Sequence, residues 1–115
     1  MIDLYIDIIS GKGRGVRTRN KIMKDTIIEI APCIEMNIKE IENTILKDYW
    51  FGIRNKNKIA ICFGYLSLYN HSDTPNISLI KYDEKNKTYT VIANRDVEKH
   101  EELCHDYGYK KEGWV

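Results

Sequence analysis

The stretch Ile77-Ser78-Leu79-Ile80-Lys81-Tyr82-Asp83-Glu84-Lys85-Asn86-Lys87-Thr88-Tyr89-Thr90-Val91-Ile92-Ala93-Asn94 holds two strand-length runs rich in β-branched and aromatic residues. Five polar residues, Asp83 to Lys87, separate them, and this pattern predicts a β-hairpin. Outward towards the N-terminus, Thr26 to Ala31 is a third β-rich run expected to stop near Pro32. Leu4, Ile6 and Ile8 alternate with Tyr5 and Asp7 as in a half-buried strand, and Val16 to Thr18 can turn back along it after Gly11, Gly13 and Gly15. Asn37, with Glu40 three residues on, has the form of a capping box ahead of Ile38, Ile41, Ile45 and Leu46. Residues 38–48 are therefore expected to form one short helix. Asn55-Lys56-Asn57 predicts a turn between two short strands, and residues 103–107 another short strand. Many short strands and little helix predict a mostly-β domain of small sheets.

A chain of 115 residues fits one compact domain, residues 1–115, with a single core. The formal net charge of +1 argues against a strong global field for nucleic acid or membrane. Yet Lys12, Arg14, Arg17, Arg19, Lys21 and Lys24 fall together without an intervening acid. Such a run is commonly a solvated face, and otherwise draws an anionic partner. Cys33, Cys62 and Cys104 lie far apart with no C-x-x-C pair. This spacing disfavours a zinc cluster and fits a reduced intracellular protein. The N-terminus lacks the charged and apolar regions of a signal peptide, and no apolar run reaches membrane-span length. The expected location is the cytosol, or a host compartment such as the host nucleus for a delivered protein.

Three groups of residues can carry chemistry. In Lys12-Gly13-Arg14-Gly15 the glycines let the backbone turn tightly and approach a ligand, although a G-x-G alone is more often a plain turn. In Asn70-His71-Ser72-Asp73-Thr74-Pro75-Asn76 an amide and an imidazole sit in a loop that could hold a polar ligand edge. Taken alone, it is more often a turn capped by Asn and Ser. His71 has no ligand-spaced His or Cys neighbour, so a metal is not expected. In Glu101-Glu102-Leu103-Cys104-His105-Asp106-Tyr107-Gly108-Tyr109 the two tyrosines share one side of an extended segment, which alone would fit an edge strand. His100 and His105 are base candidates by type or ordinary surface residues.

In this order and spacing, the three groups resemble the SET-domain protein-lysine methyltransferases over nearly the whole chain. Phe63-Gly64-Tyr65-Leu66-Ser67-Leu68-Tyr69-Asn70-His71-Ser72 resembles in particular the small stand-alone SET proteins of bacteria and large viruses. The resemblance implies a SET fold: several small β-sheets, one short helix, and a C-terminal segment threaded beneath a loop as a pseudoknot, with no pre-SET or zinc-binding post-SET region. It implies transfer of a methyl group from S-adenosyl-L-methionine, leaving S-adenosyl-L-homocysteine, to a lysine of a protein such as a histone tail, without a metal. Lys12, Gly13, Arg14 and Gly15 would hold the methionine part, and Asn70 and His71 the amino-acid head and adenine edge. Tyr107 would stand beside the methyl-transfer channel, with Tyr49 as a second wall.

The sequence also departs from the family. His100 stands where the family often has glycine, and His105, two before the site tyrosine, where an aromatic residue commonly limits product size. With no cysteine-rich tail, Trp114 or the second subunit of a homodimer would cover the cofactor. The competing readings are a SET-like peptide-binding module without turnover, and a small β-domain that binds nucleic acid through Lys12 to Lys24.

Overall fold

The computed structural model describes residues 2–53 and 57–108. Strand β1 (Leu4–Ile9) pairs antiparallel with β2 (Gly13–Thr18). β3 (Ile27–Met36), β4 (Trp50–Gly52), β5 (Ile59–Cys62), β7 (Ile77–Asp83) and β8 (Thr88–Ala93) make a five-stranded sheet of order β4-β5-β3-β8-β7. β6 (Asn70–His71) and β9 (Cys104–His105) form a third, two-stranded parallel sheet.

The 77–94 hairpin forms as expected, with Ile77 opposite Ala93 and Ile80 opposite Thr90. Tyr89, Val91 and Ala93 point inward and the residues between them are half-buried, the alternation that period-two sequence requires. Asp83 closes the turn by accepting from the N–H groups of Lys85 and Asn86 at 3.0 and 3.1 Å.

β3 does not stop at Pro32. Up to Pro32 it pairs with β8, and from Cys33 onward it pairs with β5. Proline stands where the strand changes partner, so its missing N–H breaks no ladder, and its carbonyl still accepts from Phe63 N at 3.0 Å.

Residues 38–48 are not one helix. They form two 3-10 turns, Ile38–Glu40 and Ile45–Asp48, on either side of an extended Thr44. Glu40 does bond back to Asn37 N at 3.0 Å. But Thr44 Oγ1 donates to Ile41 O at 2.8 Å and accepts from Leu46 N at 3.1 Å, so a side chain takes up backbone groups that a helix would have used. Of the apolar stripe only Ile41 is buried, while Ile45 is 83% exposed. β1 likewise forms as expected but buries less: Leu4 packs on the core, and Ile6 and Ile8 face solvent.

The core gathers Val16, Ile77 and Val91 from the first two sheets and Ile22, Leu66, Tyr69, Val97 and Leu103 from the segments between strands, each almost fully buried. Burial of one such apolar side chain contributes about 1.5–3 kcal/mol. Leu103 belongs to a strap, residues 101–105, that runs between two other parts of the chain. On one side Leu103 N donates to Val16 O at 2.8 Å; on the other Ser72 N donates to His105 O at 3.0 Å and Asn76 N to Cys104 O at 3.2 Å. The strap thus joins the first sheet to the loop that follows β6.

Candidate active site

A cavity of about 270 Å³ opens where the strap ends. The β1–β2 turn contributes Lys12 and Arg14, the segment before and within β4 contributes Asp48, Tyr49 and Phe51, and β9 with its continuation contributes His105 and Tyr107. The continuous segment from Leu66 to Asn70 completes the wall. Lys12, Arg14, Tyr49, Asn70, His105 and Tyr107, singled out from sequence, therefore border one space.

The two glycines of the turn differ in purpose. Gly13 has φ +82°, a left-handed conformation that a side chain would strain. Gly15 is needed for room: a Cβ there would stand 2.6 Å from Ile9 Cγ1 and 2.8 Å from both Asn70 Nδ2 and Glu102 Oε2. The room that Gly15 leaves is filled by Ile9 and by the polar side chains of Asn70 and Glu102.

Those side chains form a bracket. The Asn70 amide donates to Arg14 O at 3.1 Å and to Glu102 Oε2 at 2.7 Å, while Glu102 Oε1 accepts from Lys12 Nζ at 3.1 Å. That bond holds the Lys12 ammonium above its ordinary pKa, against the opposing effect of burial. Glu102 thereby joins the turn to β6, a role that reading the sequence for site residues missed. Its one signal was its place in the Glu101-Glu102-Leu103 run.

Tyr107 is anchored twice. Its N–H donates to His71 Nδ1 at 2.9 Å, and its hydroxyl donates to Tyr69 O at 2.5 Å. His71 is not on the cavity wall. Because Nδ1 accepts, the proton resides on Nε2 and is donated to Asp73 Oδ1 at 2.8 Å. His71 thus orients Tyr107 from behind, its ring centroid 5.2 Å from that of the tyrosine. Burial first, then the nearby Cys104, Glu102 and Tyr49, raise the Tyr107 phenol above its usual pKa. The phenol is therefore protonated at neutral pH, and its hydroxyl is the donor to Tyr69 O.

His105 is 2% exposed, with its ring stacked on Phe51 at 5.9 Å and 4.8 Å from that of Tyr107. His100, in contrast, is exposed and adopts φ +67°, the conformation for which glycine is the natural residue. Its Nδ1 is 3.0 Å from Tyr5 Oη, a contact that glycine could not make. Tyr109 and Trp114 lie outside the described residues. Among the described residues no group of three or more His, Cys, Asp or Glu could hold a metal ion. No helix among them is long and apolar enough to cross a membrane.

The basic run is largely matched by acids in space. Lys12 pairs with Glu102, Arg17 with Asp7, Arg19 with Asp3, and Lys21 lies within 4 Å of both Asp96 and Glu98.

The sequence and the fold resemble those of known proteins. The SET domain profile matches residues 13–108. The chain is 33% identical over 101 residues to the Schizosaccharomyces pombe histone-lysine N-methyltransferase specific for H3 lysine-37, an alignment covering 84% of this chain and 67% of that protein. A crystal structure of a Plasmodium falciparum protein assigned as a histone methyltransferase superposes with a TM-score of 0.79 at 33% identity, covering 95% of this chain and 96% of the other. A chain in a humanized mutant of the Chaetomium thermophilum Polycomb Repressive Complex 2 shares the fold, with a TM-score of 0.73 at 16% identity over 94% of this chain and 15% of that one. The profile match over residues 13–108 and the 33% identity over 101 residues place this chain in one family, the SET domain family.

Proposed function

We propose that this protein-lysine methyltransferase takes its methyl group from S-adenosylmethionine and delivers it to a lysine in a basic, histone-like protein segment. The observation that carries the reading is the hydroxyl of half-buried Tyr107, anchored to Tyr69 O at the wall of a cavity that Lys12, Arg14 and Asn70 also border. The donor set fits the cofactor. Lys12 and Arg14 suit a carboxylate, Asn70 a polar head, and the rings of Tyr49, Phe51 and Tyr107 a sulfonium cation. When bound, S-adenosylmethionine supplies a methyl group that is already electrophilic.

The chain's own residues then have two tasks. A lysine amine has a pKa of about 10.4 in water and must lose a proton to attack. In a channel walled by Tyr49, Phe51 and Tyr107, desolvation and the like charge of a bound sulfonium would together disfavour the ammonium. The neutral Tyr107 phenol, held from behind by His71, orients the amine, which removes much of the entropic barrier to in-line attack. Similarity to the Schizosaccharomyces pombe and Plasmodium falciparum histone methyltransferases supports a basic protein substrate.

The test is methyl transfer from labelled S-adenosylmethionine to histones and to a cell lysate, with mass mapping of the products. Tyr107→Phe should bind the cofactor within a fewfold of wild type by calorimetry, yet lose about 10²-fold in single-turnover rate. An unchanged rate in the folded variant overturns the role of Tyr107. Absence of cofactor binding by the wild type overturns the function.

A further inference from the structure

We propose that Cys33 and Cys62 are a redox site, a buried dithiol that peroxide or a small-molecule disulfide closes into a cross-strand disulfide between β3 and β5. The two residues are direct antiparallel partners in the five-stranded sheet. Phe63 N donates to Pro32 O, one step outside the pair, so Cys33 and Cys62 occupy a non-hydrogen-bonded position. There Cα atoms approach to about 4.5 Å and side chains lie closest. Disulfides form with Cα separations of about 4.4–6.8 Å, so the backbone need not rearrange. The two Sγ atoms are 2.8 Å apart on the same side of the sheet, and less than about 1 Å of movement separates them from a bond.

Neighbouring residues favour one sulfur as the attacker. Cys33 is the more exposed, at 8% against 4% for Cys62. A hydrogen bond from Cys62, opposed by burial, lowers the Cys33 thiol below its ordinary pKa. A peroxide would oxidise the Cys33 thiolate to a sulfenic acid and leave as hydroxide. Cys62 sulfur would then attack that sulfur, form the S–S bond, and release the sulfenic oxygen as water. Overall two thiols lose two hydrogens, and one peroxide becomes two waters. The pair sits where β5 gives way to the exposed Phe63, which offers a small oxidant a short way in. Cys104 has no such partner in register, and burial first, then Glu102, push its thiol up to about 11, so it should stay reduced.

The experiment uses the full chain, reduced and then treated with hydrogen peroxide or oxidised dithiothreitol. Thiols counted in denaturant should fall from three to one, with intact mass lower by two hydrogens and one peptide cross-link joining residues 33 and 62. Tm should rise on the order of 10 °C, reversibly with dithiothreitol, since the bond closes a loop of nearly thirty residues. Cys33→Ser and Cys62→Ser should each abolish the cross-link, and Cys104→Ser should leave it. Three thiols surviving in the wild type, or oxidation landing on Cys104, overturns the proposal even if a serine variant fails to fold. No readout involves methyl transfer, so this result stands apart from that of the methylation assay.

Discussion

His105 shows how much one residue's surroundings decide. By type it could be a base or a surface histidine; in the folded chain it is a buried panel between Phe51 and Tyr107. Asp106, next to it, keeps more than half its side chain in solvent. We infer that the His105 ring limits the space around the amine, since its nitrogens can hold a water there. The wild type should then make mainly mono- and dimethyl-lysine, and His105→Phe should shift the product towards trimethyl-lysine. Mass spectrometry showing dominant trimethylation by the wild type, unaltered in His105→Phe, would refute this. His71 carries a similar lesson. Expected to contact ligand, it is committed to the Tyr107 backbone, and Glu102, not singled out beforehand, ties Lys12 to Asn70.

Among the elements, the strap over residues 101–105 matters most, because it presents both His105 and Tyr107. Its anchors are polar. Asn76, 3% exposed, donates to Glu102 O at 2.8 Å and to Glu101 Oε2 at 3.2 Å, and accepts from Cys104 N at 2.9 Å. Burial alone would raise the Glu101 carboxyl, but the Glu98 N–H, the Arg95 guanidinium and the Asn76 amide together hold it below its usual pKa. A carboxylate depressed in the folded state contributes stability above its unfolded pKa of about 4.3, and loses it as pH falls through the folded value. Urea midpoints should therefore drop below about pH 4, and Glu101→Gln should flatten that drop while lowering stability near neutrality. An identical acid dependence in the variant would remove Glu101 from this account. The 38–48 segment teaches the converse. Its apolar spacing suited a helix, yet Thr44 offered the backbone a local alternative and the core needed only Ile41.

On the scale of the whole molecule, charge is balanced by folding. Among the described residues, four of the six cations from Lys12 to Lys24 face carboxylates, three of those acids, Asp96, Glu98 and Glu102, lying beyond residue 95. Each such pairing reduces the number of phosphates the run could neutralise. Labelled duplex DNA or RNA should show no tight binding at about 0.15 M salt by anisotropy. Submicromolar, steeply salt-dependent binding would restore the nucleic-acid reading. The mostly-β character, the 77–94 hairpin, the β1–β2 turn and the family were legible in sequence, because period-two alternation, turn residues and motif spacing are local properties. The run past Pro32, the breaking of 38–48 and the exposure of Ile6 and Ile8 were not, because each depends on which partner a segment finds. The site divides in the same way. Residue types and spacing along the chain marked Lys12, Arg14, Asn70 and Tyr107, whereas only the strap's passage between β2 and the loop after β6 brings them to one cavity. Long-range pairings of that kind leave no periodicity in the sequence, and so the assignment of His71 to Tyr107 and of Glu102 to Lys12 and Asn70 was decided by the tertiary structure alone.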